Sequence, residues 1–441
     1  VIVIFTENDS HSKKKEREVH KFNLGVKLEG KFMYMTTKEK IILSMTITGI
    51  ILLALLIFFA TYEAKAADTD YTPKSDIHAG VHSTPAVVKQ VLKNFDNPEG
   101  AIFSHDGKFV FISNSAEIGD RGAGFSWTEN EGYISKLSVN SNGTLTMVEE
   151  KLITGISSPL GMGVLPVSTG MFPAGTIFAC VGAAPIVDQD GKTITDRNRM
   201  RSKLLAFNTD GKILGEIDTG AGSVFEEITG SPIILINALG FDKSGNLFVA
   251  DTAFGGAQFD PPWDGAGGLW KISVDSLDAM ASGKKAPTAP EFLAIPGNPD
   301  GVEVSPIDGM VYVNTVGPVA GAPDPANGGI YAISNMQTLP APMDGNLGAL
   351  DGLDFTTQGT MVNSQIRGDI PARLYVNCIG QEATTLELVP YTELSGPADV
   401  AIRQMADGSY MMVVPELMAR DNTPGDDEVT VLAVPSTFDC R

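Results

Sequence analysis

Asn237–Thr252, NALGFDKSGNLFVADT, joins a short apolar strand to an alternating one across an Asp-Lys-Ser-Gly turn, the pattern of a β-hairpin. Variants of it recur at Asn97 (NPEGAIFSHDGKFVFISNS), Ser158 (SPLGMGVLP…GTIFACVG), Asn298 (NPDGVEVSPIDGMVYVNTVG), Leu350 (LDGLDFTTQGTMVNSQ) and Gly396 (GPADVAIRQMADGSYMMVVPE). The copies are imperfect and lie roughly 45–80 residues apart, which is the signature of one small sheet per repeat. Six such units predict an all-β chain whose residues 87–441 form a six-bladed β-propeller.

Size and charge agree with that expectation. Six four-stranded blades need about 240–300 residues plus loops, so 441 residues hold one propeller and little else. The formal charge is −21, and without residues 1–66 the chain carries 22 basic against 46 acidic side chains. Such a surface attracts cations and repels nucleic acid and anionic lipid.

The N-terminus has its own organisation. Residues 1–40 are a polar extension, and translation from Met33 or Met35 would remove most of it. Within residues 41–66, an apolar run from Ile41 to Ala60 follows Lys38 and Lys40 and precedes the small-residue site Ala64-Lys65-Ala66. That order predicts a signal peptide, or an uncleaved membrane anchor, since the run is long enough to span. Either reading expects an extracytoplasmic propeller that touches a membrane only through this segment. Residues 67–86 read as an irregular arm. Val87–Phe95 then leads into the first blade or pairs with the last strand. Of three cysteines, Cys180 sits in an apolar strand and reads as a buried thiol. Cys378 and Cys440 are candidates for a disulfide, which spacing alone does not decide.

Long insertions follow the second strand of successive repeats: Ala116–Glu131, Asp188–Arg201 (ending in DRNRMRSK), FGGAQFDPPWDGAGG and GPVAGAPDPANGG. Loops at one repeated place gather on one face of the disc, a face suited to a small ligand or a protein partner. Phe125, Trp127, Phe259 and Trp263 on these loops would wall a pocket there, or pack the loops onto the disc.

In a propeller the first strand of each blade lines the central channel. The shared x-Gly-φ-x-φ pattern puts Glu99, Leu160, Asn237, Asp300, Asp351 and Ala398 at equivalent positions. Three converging carboxylates repel by several kcal/mol if desolvated and unpaired. No Lys or Arg stands near them in the repeats, so a hard cation is the simplest counterion. Carboxylate and amide oxygens select Ca2+, or another divalent cation, over zinc or copper.

The pieces PEG (Pro98–Gly100), NALGFD (Asn237–Asp242) and PDGVEV (Pro299–Val304) resemble the senescence-marker-protein, gluconolactonase and luciferin-regenerating-enzyme superfamily of six-bladed calcium propellers. The resemblance implies one divalent metal on Glu99, Asn237 and Asp300, with Asp300 also the catalytic base or nucleophile. It departs in the second blade, where SSPLGMGV offers only Ser157 or Ser158 in place of the family's Asn, and Asp351 is an additional carboxylate. Histidine is scarce beyond residue 66 (His78, His82, His105), which disfavours a His dyad beside the metal. No GxSxG, P-loop, GxGxxG or HExxH motif is present. The expectation is an exported Ca2+-dependent hydrolase of a lactone or related ester. The alternative is a non-catalytic extracellular propeller that binds a sugar-like ligand or a protein and keeps the ion for structure.

Overall fold

The structure is a computed structural model. It describes residues 4–6, 24–28 and 31–34 and, from residue 86 on, all but 117–126, 183–185, 189, 191, 200, 254–266, 318–327, 346, 368–372, 379–383, 387, 390–393, 418–426 and 441. The Ile41–Ala60 run, the Ala64-Lys65-Ala66 site, His78, His82, Phe125, Phe259 and Trp263 lie outside the described residues. The chain divides into two units, Val1–Asp76 and Ile77–Arg441. In the first, Ile4–Thr6, Leu24–Leu28 and Lys31–Tyr34 form a three-stranded antiparallel sheet.

The second unit is a six-bladed β-propeller, with five four-stranded blades and one five-stranded blade among the described residues. The innermost strands are Pro98–Phe103, Met162–Val164, Ile236–Phe241, Pro299–Val304, Ala349–Phe355 and Ala401–Gln404, in blades one to six. Each of the six repeats is the innermost hairpin of its blade. The turns are made by side chains the sequence places there. Asp242 Oδ1 accepts from the Ser244 and Asn246 amides at 2.9 Å each, and Gly245 takes the left-handed φ of 87° that closes the turn.

Alternation within a strand sends side chains to both neighbouring blades, so the core is divided among the blade junctions. In the second strand of blade one, Val110 and Ile112 pack against Met411, Val413 and Val431 of blade six. Phe111 between them packs against Ile177, Leu205 and Phe207 of blade two. Further buried clusters fill the junctions of blades two and three, three and four, four and five, and five and six.

The ring is closed by a strand from the other end of the repeat array. Ala86–Lys93 pairs antiparallel with Glu428–Val434 as the fourth strand of blade six, and Leu388–Val389 pairs in parallel outside it. Of the two sequence alternatives for this segment, pairing with the last strand is the one adopted. A disulfide joins Cys378 at the end of a blade-five strand to Cys440, and Cys180 is a buried free thiol.

Candidate functional site

The ring residues reach the channel through a repeated irregularity. In blade one Pro98 pairs with Asn114 and Ala101 with Ile112, so the innermost strand advances three residues while its partner advances two. The same extra residue occurs between Ile236 and Leu239, Pro299 and Val302, and Leu350 and Leu353. These β-bulges contain Glu99, Asn237, Asp300 and Asp351, one in each of blades one, three, four and five. A bulge bends its strand and re-aims a side chain, here towards the channel. Glycine follows three of the four (Gly100, Gly301 and Gly352), and a methyl group on Gly301 would run into the Asp351 carbonyl. Asn97 and Asn298 open two of these strands with φ of 50° and 59°. Their side-chain amides donate to the Ala116 and Gly317 carbonyls at 2.9 and 2.7 Å, tying strand entry to the start of the insertion loop.

Glu99, Asn237, Asp300 and Asp351 meet around one cavity of about 40 Å³, lined also by Ala398 and, among the described residues, without a Lys or Arg. Asp300 is 3 % exposed, and its Oδ1 has no hydrogen-bond partner among the described residues. The carboxyls of Asp300 and Asp351 are hydrogen-bonded to each other. Burial, then the charge of Glu99, drives Asp300 well above the usual carboxylate range. Burial and the charge of Asp300 do the same to Asp351. Without a counterion the pair holds a proton rather than two charges.

Asn314 braces this pair. Its Oδ1 accepts from the Gly301 amide at 2.8 Å, and its Nδ2 donates to the Gly352 carbonyl at 3.1 Å. The glycines that follow Asp300 and Asp351 are therefore both held by one buried carboxamide. Asn314 Nδ2 also reaches Asn363 Oδ1 at 3.3 Å, and Asn363 donates in turn to Asn377 at 3.1 Å.

A second set of carboxylates, Glu303, Asp354 and Asp399, lines the same cavity. Asp399 Oδ2 accepts from the Ala101 amide of blade one at 3.0 Å. Asp354 Oδ2 accepts from the Ile402 amide of blade six at 2.6 Å. They satisfy backbone donors that the channel edge of the innermost strands would otherwise leave unmet. Burial pushes Asp354 and Asp399 up to about 7 each, against the pull of these amides, and it drives Glu303 upward with the charge of Asp354 adding to it. Sequence reasoning missed all three, although DGVE (Asp300–Glu303) and DGLD (Asp351–Asp354) share one spacing.

The remaining ring positions differ. Leu160 is fully buried in the core between blades two and three and does not line the cavity, where Gly161 and Met162 stand instead. Ser158 is buried as well. Trp127 is 1 % exposed and belongs to the same core cluster as Leu160, so it packs its loop onto the disc and walls no open pocket. His105 is an exposed turn residue. Among the described residues no three acidic, histidine or cysteine side chains converge tightly enough to hold an ion by themselves. Any cation here would need the Asn237 amide beside the carboxylates. An oxygen donor set, a cavity of ionic size and the unpartnered Asp300 oxygen fit a hard divalent cation.

No family model and no curated protein matches the chain. Solved structures do. One is a protein of unknown function from Dyadobacter fermentans, at 11 % identity over 79 % of this chain and 99 % of that one, with a TM-score of 0.51. A gluconolactonase from Xanthomonas campestris matches at 12 % identity over 80 % of this chain and 96 % of that one, TM-score 0.45. A PQQ-bound aldose sugar dehydrogenase from Streptomyces coelicolor matches at 14 % over 80 % and 97 %, TM-score 0.47. What this chain has in common with the Dyadobacter fermentans protein is the fold.

Proposed function

We propose that the chain is an exported, divalent-cation-dependent hydrolase of a lactone or related ester. Glu99, Asn237 and Asp300 hold the cation, with Asp351 beside them, and Ca2+ is the ion such donors suit. The observation that carries this reading is Asp300 Oδ1, buried without a partner among the described residues in a cavity lined by oxygens.

A bound divalent cation would supply carbonyl polarisation and a lowered pKa for water. Asp300 then takes the proton of the attacking water. Asp351, hydrogen-bonded to Asp300, orients that carboxylate, and Asn314 fixes the spacing of both strands. At about 40 Å³ the cavity holds an ion and water but no lactone ring, so the substrate lies above it, at the end where the innermost strands begin. The insertion loops start at that same end, because second strands run back to it. The Cys378–Cys440 disulfide supports export, since such bonds persist in oxidising compartments.

Thermal unfolding in EDTA and then in Ca2+, beside pH-stat hydrolysis of a δ-lactone, tests the reading. Ca2+ is expected to raise the melting temperature and to be required for hydrolysis, and Asp300→Asn to remove both effects. A wild-type protein indifferent to Ca2+ in both assays would refute it.

One observation favours a second reading, a non-catalytic propeller with a structural ion. Blade two presents Gly161 and Met162 to the cavity where an oxygen-bearing side chain would complete the ring. That reading expects the same Ca2+ response in melting and no hydrolysis.

A further inference from the structure

The run Asp196–Lys203, DRNRMRSK, places four cations at alternate positions in a chain with 32 basic and 53 acidic residues. The channel site uses none of them. Arg199, Arg201 and Lys203 line a separate cavity of about 180 Å³. It lies where the outer strand of blade one, Leu145–Ile156, ends against the ends of Ile177–Val181 and Lys203–Phe207 in blade two. Those strand ends belong to the face on which the innermost strands begin, so this cavity and the channel mouth share a face.

The cavity has two chemically distinct sides. Its floor is apolar, made by Ile156, Val181, Ile186 and Ile194, each no more than 7 % exposed. Its wall is cationic. Lys203 is paired with Glu216 at 2.8 Å, and Arg201 donates from Nη1 to the Asn198 carbonyl at 3.0 Å. Among the described residues Arg199 makes no ion pair, and Glu129 is the one carboxylate on the lining. The shape is held by backbone: Ile186–Val187 pairs in parallel with Trp127–Thr128, and the Ile194 amide donates to the Ile186 carbonyl at 2.8 Å. Guanidinium groups bind carboxylates through two parallel hydrogen bonds, which a neutral or cationic ligand does not offer.

We propose that this cavity binds a small organic carboxylate. The anionic head meets Arg199 and Arg201, and a short hydrocarbon body lies on the isoleucine and valine floor. At this volume the body is a few carbons long, smaller than the ligands of ordinary drug-sized pockets. The site is independent of the channel cation and goes beyond the hydrolase reading.

Isothermal titration of the full chain with sodium hexanoate tests it, with 1-hexanol, hexylammonium and inorganic phosphate as comparison probes. Saturable hexanoate binding is expected, at least tenfold tighter than for each of the other three. Arg199→Gln/Arg201→Gln is expected to weaken it at least tenfold with an unchanged melting temperature, and Asp300→Asn to leave it unchanged. Absence of hexanoate binding, equal affinity for hexylammonium or hexanol, or undiminished affinity in the folded double variant would overturn the proposal. Binding of phosphate alone would overturn it as well, because the apolar floor would then play no part. Should the double variant unfold, Arg199→Gln alone carries the test, with a loss of at least threefold expected and no loss overturning the site.

Discussion

Raising the pH of the cation-free protein will destabilise it, and a divalent cation will remove most of that sensitivity. Asp354 and Asp399 are half-buried on the channel lining, and their partial desolvation moves them from the usual 3.8 up to about 7. Their folded-state values lie above those of the unfolded chain, so the folded protein keeps protons that the unfolded chain has released. The penalty is absent below about pH 4 and accumulates as pH rises to about 7. Between pH 5 and 7 each group costs about 3 kcal/mol, at about 1.36 kcal/mol per pH unit. Together they cost about 6 kcal/mol, and Asp300, Asp351 and Glu303 act in the same direction. A unit the length of Ile77–Arg441 has an unfolding entropy of about 0.8 kcal/mol/K, so these two groups by themselves should lower the melting temperature by about 7 °C. Differential scanning calorimetry at pH 5, 6.5 and 8 in EDTA reads this fall. Glu416 and Asp251 are also raised to about 7 by burial and lie off the cavity lining, so they leave a residual slope. The channel's share is the part that Asp354→Asn/Asp399→Asn abolishes. Millimolar Ca2+ should flatten the same part, stabilising more at pH 8 than at pH 5. A melting temperature that rises from pH 5 to 8 in EDTA, or a slope untouched by the double substitution, would refute the linkage.

Two further outcomes follow from buried contacts. Asn314→Ala leaves the Gly301 amide without its acceptor and the Gly352 carbonyl with Ser364 Oγ as its donor, which should cost about 1–3 kcal/mol in denaturant unfolding and weaken Ca2+ binding measured by titration. Cys378→Ser/Cys440→Ser opens a covalent loop spanning a sequence separation of 62 and should cost about 4 kcal/mol, read as a lower denaturation midpoint in non-reducing urea.

The fold was legible because its repeating unit is written in local chemistry. Asp242 and Gly245 specify a turn, and the alternating strands on either side specify a sheet, so six copies specify six sheets. The four oxygen-bearing ring residues were legible through shared motif register, since register survives where geometry is irregular. The carboxylates Glu303 and Asp354 were hidden by that irregularity. In a regular strand, residues three apart face opposite sides, so Asp300 and Glu303 read as one inward and one outward. The bulge between Pro299 and Val302 adds a residue and turns both inward, and the one between Leu350 and Leu353 does the same for Asp351 and Asp354. Leu160 shows the converse error: motif register assigned it to the channel, while blade–blade packing buries it in the core. The pairing of Cys378 with Cys440 was one of two open outcomes, because spacing carries no information on the approach of two strands.

The strand that closes the ring sets the order in which the molecule can be finished. Gln90 pairs with Val431, 341 residues further along the chain. During synthesis Ala86–Lys93 emerges first, and its antiparallel partner Glu428–Val434 is the last strand to be made. At translation rates of about 5–20 residues per second, that wait lasts roughly 17–70 s. Through it the nascent chain carries an open sheet edge, and the junction of blades six and one stays unfilled. Ring closure is then a late event joining the most distant contacts in the protein, of the kind that makes folding slow. The early blades must therefore hold together through their own junction cores before the circle exists, and a ribosome that stalls in the final repeat would release a stack of blades with two unmatched ends.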